Sequence, residues 1–368
     1  MTEPAPTPIT IDDVARHARV SKATVSRVIN GNYGVSEALR LRVMEAIRAL
    51  GYQPDRSARR LRGTASELLG IIIPDIQNPY FTSVVRGIED LAYEHQMNVL
   101  LCNTDDDPGK QETYIRVMMA ERVAGLILAP SFGIAGESLD QLARLGTPVI
   151  LIDRSVPALP FDTVTVDNFH GVYEGTSHLI RQGYRRIAFV GGDLELSPGR
   201  ERLAGYQRAL ADHGLPAEPE LTQLDHFKIE SGQRLTHRLL SLTEPPDAIF
   251  SASNLLSIGV LKAVREAGLR IPDDIAVVGF DDMPWASELY APLTAIVQPT
   301  YELGQEAVRA LLRRRDEPNT PIHTVTLRTS LVIRESCGAL RHKGGDPGEI
   351  SSLAAGSEQS ILPETNTL

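Results

Sequence analysis

The strongest constraint on the fold is an alternation of short apolar runs with helical stretches, which begins at Leu68 and continues to Gln298. The first series reads LLGIIIP, NVLLCNTD, GLILAP, PVILIDR and TVTVD, and the second reads RIAFVGG, AIFSAS, DIAVVGFDD and LTAIVQ. Such runs indicate buried parallel strands. In the second series, helices are predicted around 171–182, 202–213, 232–242 and 256–267. The pattern predicts an α/β domain of two doubly wound subdomains.

The N-terminal region follows a different, all-helical pattern. Thr10, Ser21 and Ser36 are suitable N-caps for three helices. The first helix is predicted to run to about Ala18, and the second to stop at Asn30-Gly31. The third helix repeats apolar residues on one face, at Leu39, Val43, Ile47 and Leu50. A short turn between the first two helices predicts a helix-turn-helix DNA-binding domain over residues 9–53, preceded by a disordered arm over 1–8.

The second helix supplies the candidate DNA contacts, because in this geometry it lies in the major groove. Lys22 and Arg27 can donate to guanine O6 and N7, and Ala23 offers a methyl-sized contact for thymine. Ser21, Thr24, Ser26 and Asn30 are expected to contact the phosphate backbone. The alternative is a small solvated helical domain without DNA, but caps, turn and exposed polar residues agree on the first interpretation.

Charge is distributed unevenly along the 368 residues. Residues 1–63 contain 11 Lys and Arg against 6 Asp and Glu, a net charge of +5, whereas the whole chain carries −10. The remainder therefore carries −15. This asymmetry is typical of a nucleic-acid-binding module attached to an acidic body.

The segment VSKATVSRVING, residues 20–31, resembles the lactose/galactose-repressor (LacI) family of bacterial transcription regulators. The family's hinge motif is also present as PDRSARRL, with Pro54, Ala58 and Leu61 in place and Asp55 where Asn is usual. A helix this short is unstable alone, because isolated helices need about 12–15 residues for marginal stability.

The resemblance implies that a hinge helix over residues 54–63 pairs with that of a second subunit and enters the minor groove. Leu61 would then wedge between base steps, with Arg56 and Ala58 as further DNA contacts. A flexible linker whose arginines only keep it soluble is the alternative.

Polar side chains follow several of the predicted strands, where ligands of doubly wound sheets are bound. Residues 75–81 follow the first strand, Asp153 and Arg154 follow PVILI, Asp281 follows DIAVVGF and Gln298 follows the last strand. Arg202, at the start of a predicted helix, and Asn254, which follows the strand AIFSAS, are added to this set. Such groups pair with hydroxyls, and Tyr80 and Phe81 can cover the apolar face of a sugar ring.

Residues 68–336 resemble the effector domain of the same family, which shares its fold with periplasmic sugar-binding proteins. The pieces NPYF, IDR, RERLAGY, GFDD and VQP are similar to ribose-type members. The resemblance implies sugar contacts at Asn78, Tyr80, Phe81, Arg154, Arg202, Asn254, Asp281 and Gln298. Asp153 is a further candidate, and Phe227 is added from the segment LDHFKIESG. Where the family commonly has Asn-Asp, this chain has Asn254-Leu255.

The expected domain boundaries follow from this resemblance. The N-subdomain is predicted over about 68–166 and 296–326, and the C-subdomain over about 167–295 and 327–336. A disordered tail is predicted over 337–368, where Gly, Ser, Glu and Pro are common and apolar residues too sparse for a heptad. A homodimer that reads a near-palindromic double-stranded operator is therefore expected.

The implied function is a repressor whose operator affinity is controlled by ribose or a related pentose. A nucleoside, a sugar acid, a phosphosugar or a corepressor are the alternatives, since Arg154 and Arg202 could also pair with an anion. The carboxylate of Asp281 would repel such an anion, which favours a neutral pentose. By linkage, effector and operator must change each other's affinity by the same factor.

Other classes of protein lack support in the sequence. The chain has no nucleotide-binding glycine loop, nucleophile elbow or metal-ligand cluster, which argues against an enzyme and against a metal or cofactor. A sugar transport receptor would need export and would not carry residues 21–30. Cys102 and Cys337 are far apart in sequence and indicate reduced thiols. No apolar run reaches membrane-spanning length, so a cytoplasmic, nucleoid-associated protein is expected.

Overall fold

A computed structural model describes residues 9–29, 34–52, 67–133, 137–156, 159–284 and 286–339. The chain divides into two units, Met1–Ser66 and Glu67–Leu368. The predicted arm over 1–8, the hinge over 54–63 and most of the predicted tail lie outside the described residues. So do four predicted DNA contacts: Asn30, Arg56, Ala58 and Leu61.

The first unit contains helices α1 (Ile11–Ala18), α2 (Lys22–Ile29) and α3 (Glu37–Leu50). These helices bury one small core that includes Val14, Val25, Val28, Val43 and Ala46. Leu39, predicted on the core face of α3, is only half-buried and lies outside this core. The three predicted helices are otherwise found with their predicted ends within about two residues.

The caps explain where these helices begin. Thr10 accepts the amide of Asp13, whose carboxylate accepts the Thr10 amide at 2.9 Å, so the two residues form a capping box. Ser21 Oγ accepts the Thr24 amide at 3.1 Å. Ser36 stands at the predicted N-cap position of α3, but its side chain makes no cap hydrogen bond.

The second unit begins with a first set of alternating strands and helices. Its elements are β1 (Leu68–Ile73), α4 (Pro79–Glu94), β2 (Asn98–Asn103), α5 (Pro108–Glu121), β3 (Gly125–Leu128), α6 (Glu137–Arg144), β4 (Val149–Ile152) and β5 (Asp162–Val166). Strands β1, β3, β4 and β5 are almost entirely buried, as expected for parallel strands covered by helices on each side, whereas the edge strand β2 is only partly buried.

A second set follows after the chain crosses to a new sheet. Its elements are α7 (Asn168–Arg181), β6 (Ile187–Gly191), α8 (Ser197–Asp212), β7 (Thr222–Leu224), α9 (Ile229–Leu240), β8 (Ala248–Ser251), α10 (Asn254–Glu266), β9 (Ala276–Phe280) and β10 (Thr294–Val297). The chain then returns to the first sheet through α11 (Thr300–Asp316) and β11 (Thr324–Leu327), and ends its described part with β12 (Ser330–Val332) in the second sheet.

The two sheets repeat one topology. The first has the order β11-β5-β4-β3-β1-β2, and the second has the order β12-β10-β9-β8-β6-β7. Neighbouring strands are parallel except for the antiparallel pair β10 and β12. The predicted α/β architecture of two doubly wound subdomains is confirmed, and the carboxyl ends of the central strands are the places to look for a site.

Several predicted boundaries move. Helix α8 begins at Ser197, five residues before the predicted start, because Pro198 suits the first turn of a helix. Strand β10 reaches Val297 in the second sheet, so the chain crosses back after 297 and not before 296. Leu327 belongs to the first sheet, and Cys337 is fully buried in the second core, which places the start of any tail later than predicted.

Among the helices of the described residues, none is long and apolar enough to span a lipid bilayer.

Candidate functional site

A cavity of about 370 Å³ lies between the two subdomains, where strands of both sheets end. All ten predicted effector-site residues line it: Asn78, Tyr80, Phe81, Asp153, Arg154, Arg202, Phe227, Asn254, Asp281 and Gln298. They come from positions separated by up to 220 residues in the chain, and the fold brings them together around one concave site.

Two aspartates hold equivalent places in the two halves. Asp153 follows β4 and Asp281 follows β9, and both have left-handed backbones, with φ of +66° and +74°. The amide of each donates to the next strand, to Val164 at 3.0 Å and to Ile296 at 2.9 Å. Left-handed φ values are costly for residues other than glycine and concentrate at functional sites. The strand ends therefore direct two carboxylates to the same cavity.

Arg154 is buried and paired with carboxylates. Its Nη1 and Nη2 both donate to Asp106, and its Nε lies 3.3 Å from an Asp153 oxygen. Nη1 also donates to the Pro130 carbonyl at 3.0 Å. Burial alone would lower the pKa of Arg154, but the Asp106 and Asp153 carboxylates outweigh it and the pKa is raised. This guanidinium is permanently charged and locally neutralised.

Arg202 is equally buried, but its partners are neutral. Nε donates to Asn168 Oδ1 at 2.8 Å and Nη1 donates to the Ala252 carbonyl at 2.7 Å. Its guanidinium carbon lies 3.8 Å from the centre of the Phe280 ring and 5.9 Å from that of Phe227. These contacts fix its orientation through hydrogen bonds and cation–π attraction, and they leave its charge without a salt-bridge partner in the described part of the chain.

Asp281 is held by neutral donors. One carboxylate oxygen accepts the Asn254 amide at 3.1 Å, and the other accepts the Gln298 side-chain amide. Burial raises the pKa of the Asp281 carboxyl above its ordinary value, although Arg202 and these two hydrogen bonds offset part of the effect. A sugar hydroxyl could still donate to its remaining lone pairs.

Two buried polar atoms at the cavity have no partner among the described residues: the Tyr80 hydroxyl and Gln298 Oε1. Because Gln298 Nε2 is committed to Asp281, its Oε1 can only accept from something that enters the cavity. Burial, with Asp153 and Asp281 nearby, raises the pKa of Tyr80, so its phenol stays protonated and can donate. A hydroxyl-rich ligand would satisfy both atoms.

One hydrogen bond crosses the cleft inside this site. Asn254 Nδ2, at the start of α10, donates to Asn78 Oδ1 at 2.6 Å, and the same oxygen caps α4 by accepting the Tyr80 amide at 3.0 Å. Asn78 and Asn254 thus link the two subdomains directly. Leu255, which stands where the family commonly has Asp, also lines the cavity and adds an apolar side chain there.

Sequence reasoning missed part of the lining. Asn103 ends β2 and Asp105 and Asp106 follow it, Leu196 and Pro198 lie at the start of α8, and Lys228 precedes α9. The rule that found Asp153 and Asp281 applies equally to the end of β2, so Asp106 was available to it. The run Asp105–Asp107 instead suggests only a solvated turn and a helix cap, and Asp107 does cap α5.

The predicted DNA-reading helix α2 is largely accessible in its own unit. Ser21, Lys22, Ala23 and Arg27 are exposed, and Thr24 and Ser26 are half-buried, whereas Val25 and Val28 face the core. Lys22 Nζ lies 2.9 Å from the exposed Asp12 carboxylate, an ion pair that phosphate or a base could replace at small cost. Within the described ranges no group of three potential metal ligands is found.

Comparisons with known proteins agree with both units. Residues 10–55 match the family described as bacterial regulatory proteins, lacI family, and residues 176–337 match the periplasmic binding protein-like domain. The HTH-type transcriptional regulator RegA of Clostridium saccharobutylicum is 36% identical, over 89% of this chain and 98% of that protein. The ribose operon repressor of Halalkalibacterium halodurans is 35% identical, over 92% and 99%.

The lac repressor dimer bound to operator and the anti-inducer ONPF is similar in structure, with a TM-score of 0.79 and 29% identity over 90% of this chain and 99% of that chain. These relatives are named as regulators, which agrees with the prediction that the chain is not an enzyme.

Proposed function

The chain belongs to the LacI family of bacterial transcription regulators, and from this premise we propose that it is a repressor whose operator affinity is set by a small neutral sugar, ribose or a related pentose. The observation that carries the proposal is the cavity of about 370 Å³ between the subdomains, in which all ten predicted residues meet and two buried polar atoms lack partners among the described residues.

The chemistry of the cavity supports a neutral, hydroxyl-rich ligand. Tyr80, Phe81 and Phe227 supply aromatic faces that suit the apolar face of a sugar ring. Gln298 Oε1 and the carboxylate of Asp281 supply acceptors for hydroxyl protons. A volume of about 370 Å³ lies at the small end of the range for ligand sites.

The DNA-binding part of the proposal rests on α2 and the hinge. Lys22, Ala23 and Arg27 would read base edges, and Ser21, Thr24, Ser26 and Asn30 would position the phosphate backbone. Two subunits would read a near-palindromic operator, with Arg56, Ala58 and Leu61 in the minor groove. Because a repressor acts on chromosomal DNA, a cytoplasmic, nucleoid-associated location is part of the proposal.

We expect the contact across the cleft to contribute to coupling between the sugar cavity and the DNA-binding unit. The Asn78–Asn254 bond makes the separation of the subdomains sensitive to what fills the cavity, and a ligand shifts that equilibrium only by its differential affinity. Sugar and operator are expected to change each other's affinity by about 5- to 150-fold, in either direction.

Calorimetric titration of the full chain tests the sugar. The panel is ribose, other pentoses, hexoses, gluconate and adenosine. We expect saturable heat with ribose or a related pentose, and its loss in Arg202→Ala. Arg208→Ala, on an exposed turn of the same helix, is the matched control and should bind as the unaltered chain does. Heat from gluconate or adenosine alone would overturn the pentose while leaving a regulator.

Leu61→Ala tests the hinge. Loss of the wedge should weaken specific operator binding at least tenfold while leaving sugar affinity unchanged, because the proposed role of Leu61 is a contact with DNA and not with the sugar. Fluorescence anisotropy with a labelled operator, selected from a random library, measures the first quantity. Equal operator affinity of the two proteins would rule out the wedge.

A further inference from the structure

The two buried arginines of the cavity differ in how their charge is balanced. Arg154 donates three of its five N–H groups to protein acceptors, Nη1 to Asp106 and Pro130 and Nη2 to Asp106, and its Nε lies beside the Asp153 carboxylate. Arg202 donates to an amide and a carbonyl only. An arginine that is already bidentate with a carboxylate is a poor partner for a ligand anion.

Asp106 is the residue that makes this difference. Asp106 lies 48 residues before Arg154 in the sequence. Its side chain is 38% exposed, whereas the Arg154 side chain is 8% exposed. Asp106 thus fills no space in the core. Its left-handed backbone, with φ of +58°, follows that of Asp105, with φ of +55°, and the turn holds Asp106 at the cavity wall.

The neighbouring carboxylate has a separate partner. Asp105 accepts from Lys110 and from Asn103 Nδ2 at 2.7 Å, and it makes no described contact with Arg154. Of the two carboxylates at the end of β2, only Asp106 is therefore bonded to a cavity arginine. The other acidic groups of the lining, at Asp75, Asp153 and Asp281, leave the wall with more carboxylates than cations.

We propose that Asp106 is a specificity-determining residue of this cavity: by occupying Arg154, it keeps the phosphate or carboxylate group of a sugar away from that guanidinium and favours neutral sugars. The proposal deepens the function proposed above and rests on it for the location of the site. A phosphate or carboxylate that entered would have to displace Asp106 from Arg154 and would then face an unpaired aspartate.

The alternative is a purely structural ion pair. Breaking such a pair would lower stability without changing which ligands bind. Ligand selectivity separates these two roles, because only neutralisation of Arg154 predicts that an anion gains affinity when the carboxylate is removed. The carboxamide of asparagine keeps the size of the side chain and still offers an acceptor to Arg154, so Asp106→Asn is the least disruptive variant.

The test is calorimetric titration of the full chain and of Asp106→Asn, Asp106→Glu and Asp105→Asn. The probes are ribose, ribose 5-phosphate and gluconate, with circular dichroism to verify folding. We expect Asp106→Asn to bind at least one of the two anions at least tenfold more tightly than the unaltered chain. Asp106→Glu should restore exclusion. Asp105→Asn removes the same charge one residue away and should produce a several-fold smaller gain.

The outcomes distinguish this inference from the proposed function. If no neutral sugar binds the unaltered chain but Asp106→Asn gains an anion, the pentose proposal fails and the role of Asp106 stands. If a folded Asp106→Asn gains neither anion, or if the unaltered chain already binds one of them as tightly as ribose, the role of Asp106 is overturned. An equal gain in Asp105→Asn would also overturn it, since bulk charge would then explain the result.

Discussion

The two halves of the effector unit share one strand order but balance charge in opposite ways at equivalent positions. Asp153 and Asp281 end matching strands with the same left-handed backbone. Asp153 lies beside a guanidinium, at 3.3 Å from Arg154, whereas Asp281 receives its hydrogen bonds from the neutral amides of Asn254 and Gln298. The fold therefore repeats the backbone and leaves the electrostatics free to diverge.

The same contrast recurs where the next strand begins. Asp162 opens β5 opposite Ile150, and Thr294 opens β10 opposite Val278. Asp162 accepts two hydrogen bonds of 2.8 Å from Arg314, whereas Thr294 exchanges hydrogen bonds with the amide of Arg334 and with other neutral groups near the end of the chain. At these two strand starts, the first half uses an ion pair and the second uses neutral hydrogen bonds, although Arg334 also pairs through its side chain with Asp282.

The largest expected effect is at Arg154, in the half of the domain that contains Asp153 and Asp106. Arg154→Ala leaves Asp153 and Asp106 without their cation, and breaking a buried pair costs about 3–5 kcal/mol. We expect the low end, about 3 kcal/mol, because Asp106 is partly exposed. Arg202→Ala removes hydrogen bonds to neutral partners and should cost about 2 kcal/mol. Urea unfolding measures both, and equal losses would break the contrast between the halves.

The strand starts give a second, smaller difference. Asp162→Ala deprives Arg314 of a bidentate partner and should lower the free energy of unfolding by about 2 kcal/mol. Thr294→Val keeps the shape and should cost about 1 kcal/mol. The loss of stability in Asp162→Ala should also be smaller at acid pH, because the folded-state pKa of Asp162 is lowered. Burial alone would raise this pKa, but hydrogen bonds from Arg314 and the His323 amide outweigh it. The contribution of Asp162 is present above about pH 4 and lost as the pH falls. A pH-independent Asp162 loss would contradict this assignment.

Asp281 should titrate with the opposite sign. Burial raises its folded-state pKa, so the folded protein holds this proton more firmly than the unfolded chain does. The stability linked to this group is full below about pH 4 and is lost as the pH rises through the folded pKa. Asp281→Asn should remove that decline, because an asparagine side chain does not titrate. The fold should tolerate the change, since Gln298 can turn its amide to keep a hydrogen bond. Unfolding free energies of both proteins between about pH 4 and pH 7 decide the point; parallel curves would refute it.

The smallest expected effect concerns His178, in the half of the domain that contains Asp281. Its Nε2 lies 3.2 Å from Cys337 Sγ, and burial, with Arg181 adding to it, lowers its pKa. Stability from this group is full above about pH 6.5 and is lost as the pH falls toward the folded pKa. His178→Gln should flatten the thermal stability profile across that range. A profile equally steep in the variant would show that another group is responsible.

The sequence predicted the parts of the molecule that repeat simple rules. Apolar strands and capped helices located both sheets, and polar residues after strands, together with the family resemblance, named ten residues that line the cavity. Asp106 shows the limit: the strand-end rule could have named this residue, but its ion pair with Arg154 depends on two distant turns that meet only in the folded chain. The buried end at Cys337 was missed similarly, because its partners His178 and Thr294 lie 159 and 43 residues away. Polar and small residues look like a tail until tertiary contacts bury them.

The central claim is that a sugar in the cavity and an operator on the helix-turn-helix unit influence each other. Calorimetric titration of ribose into the full chain, with and without a saturating operator duplex selected from a random library, tests it most directly. We predict that the operator changes ribose affinity by about 5- to 150-fold. Ribose binding of equal affinity in both titrations would contradict the account.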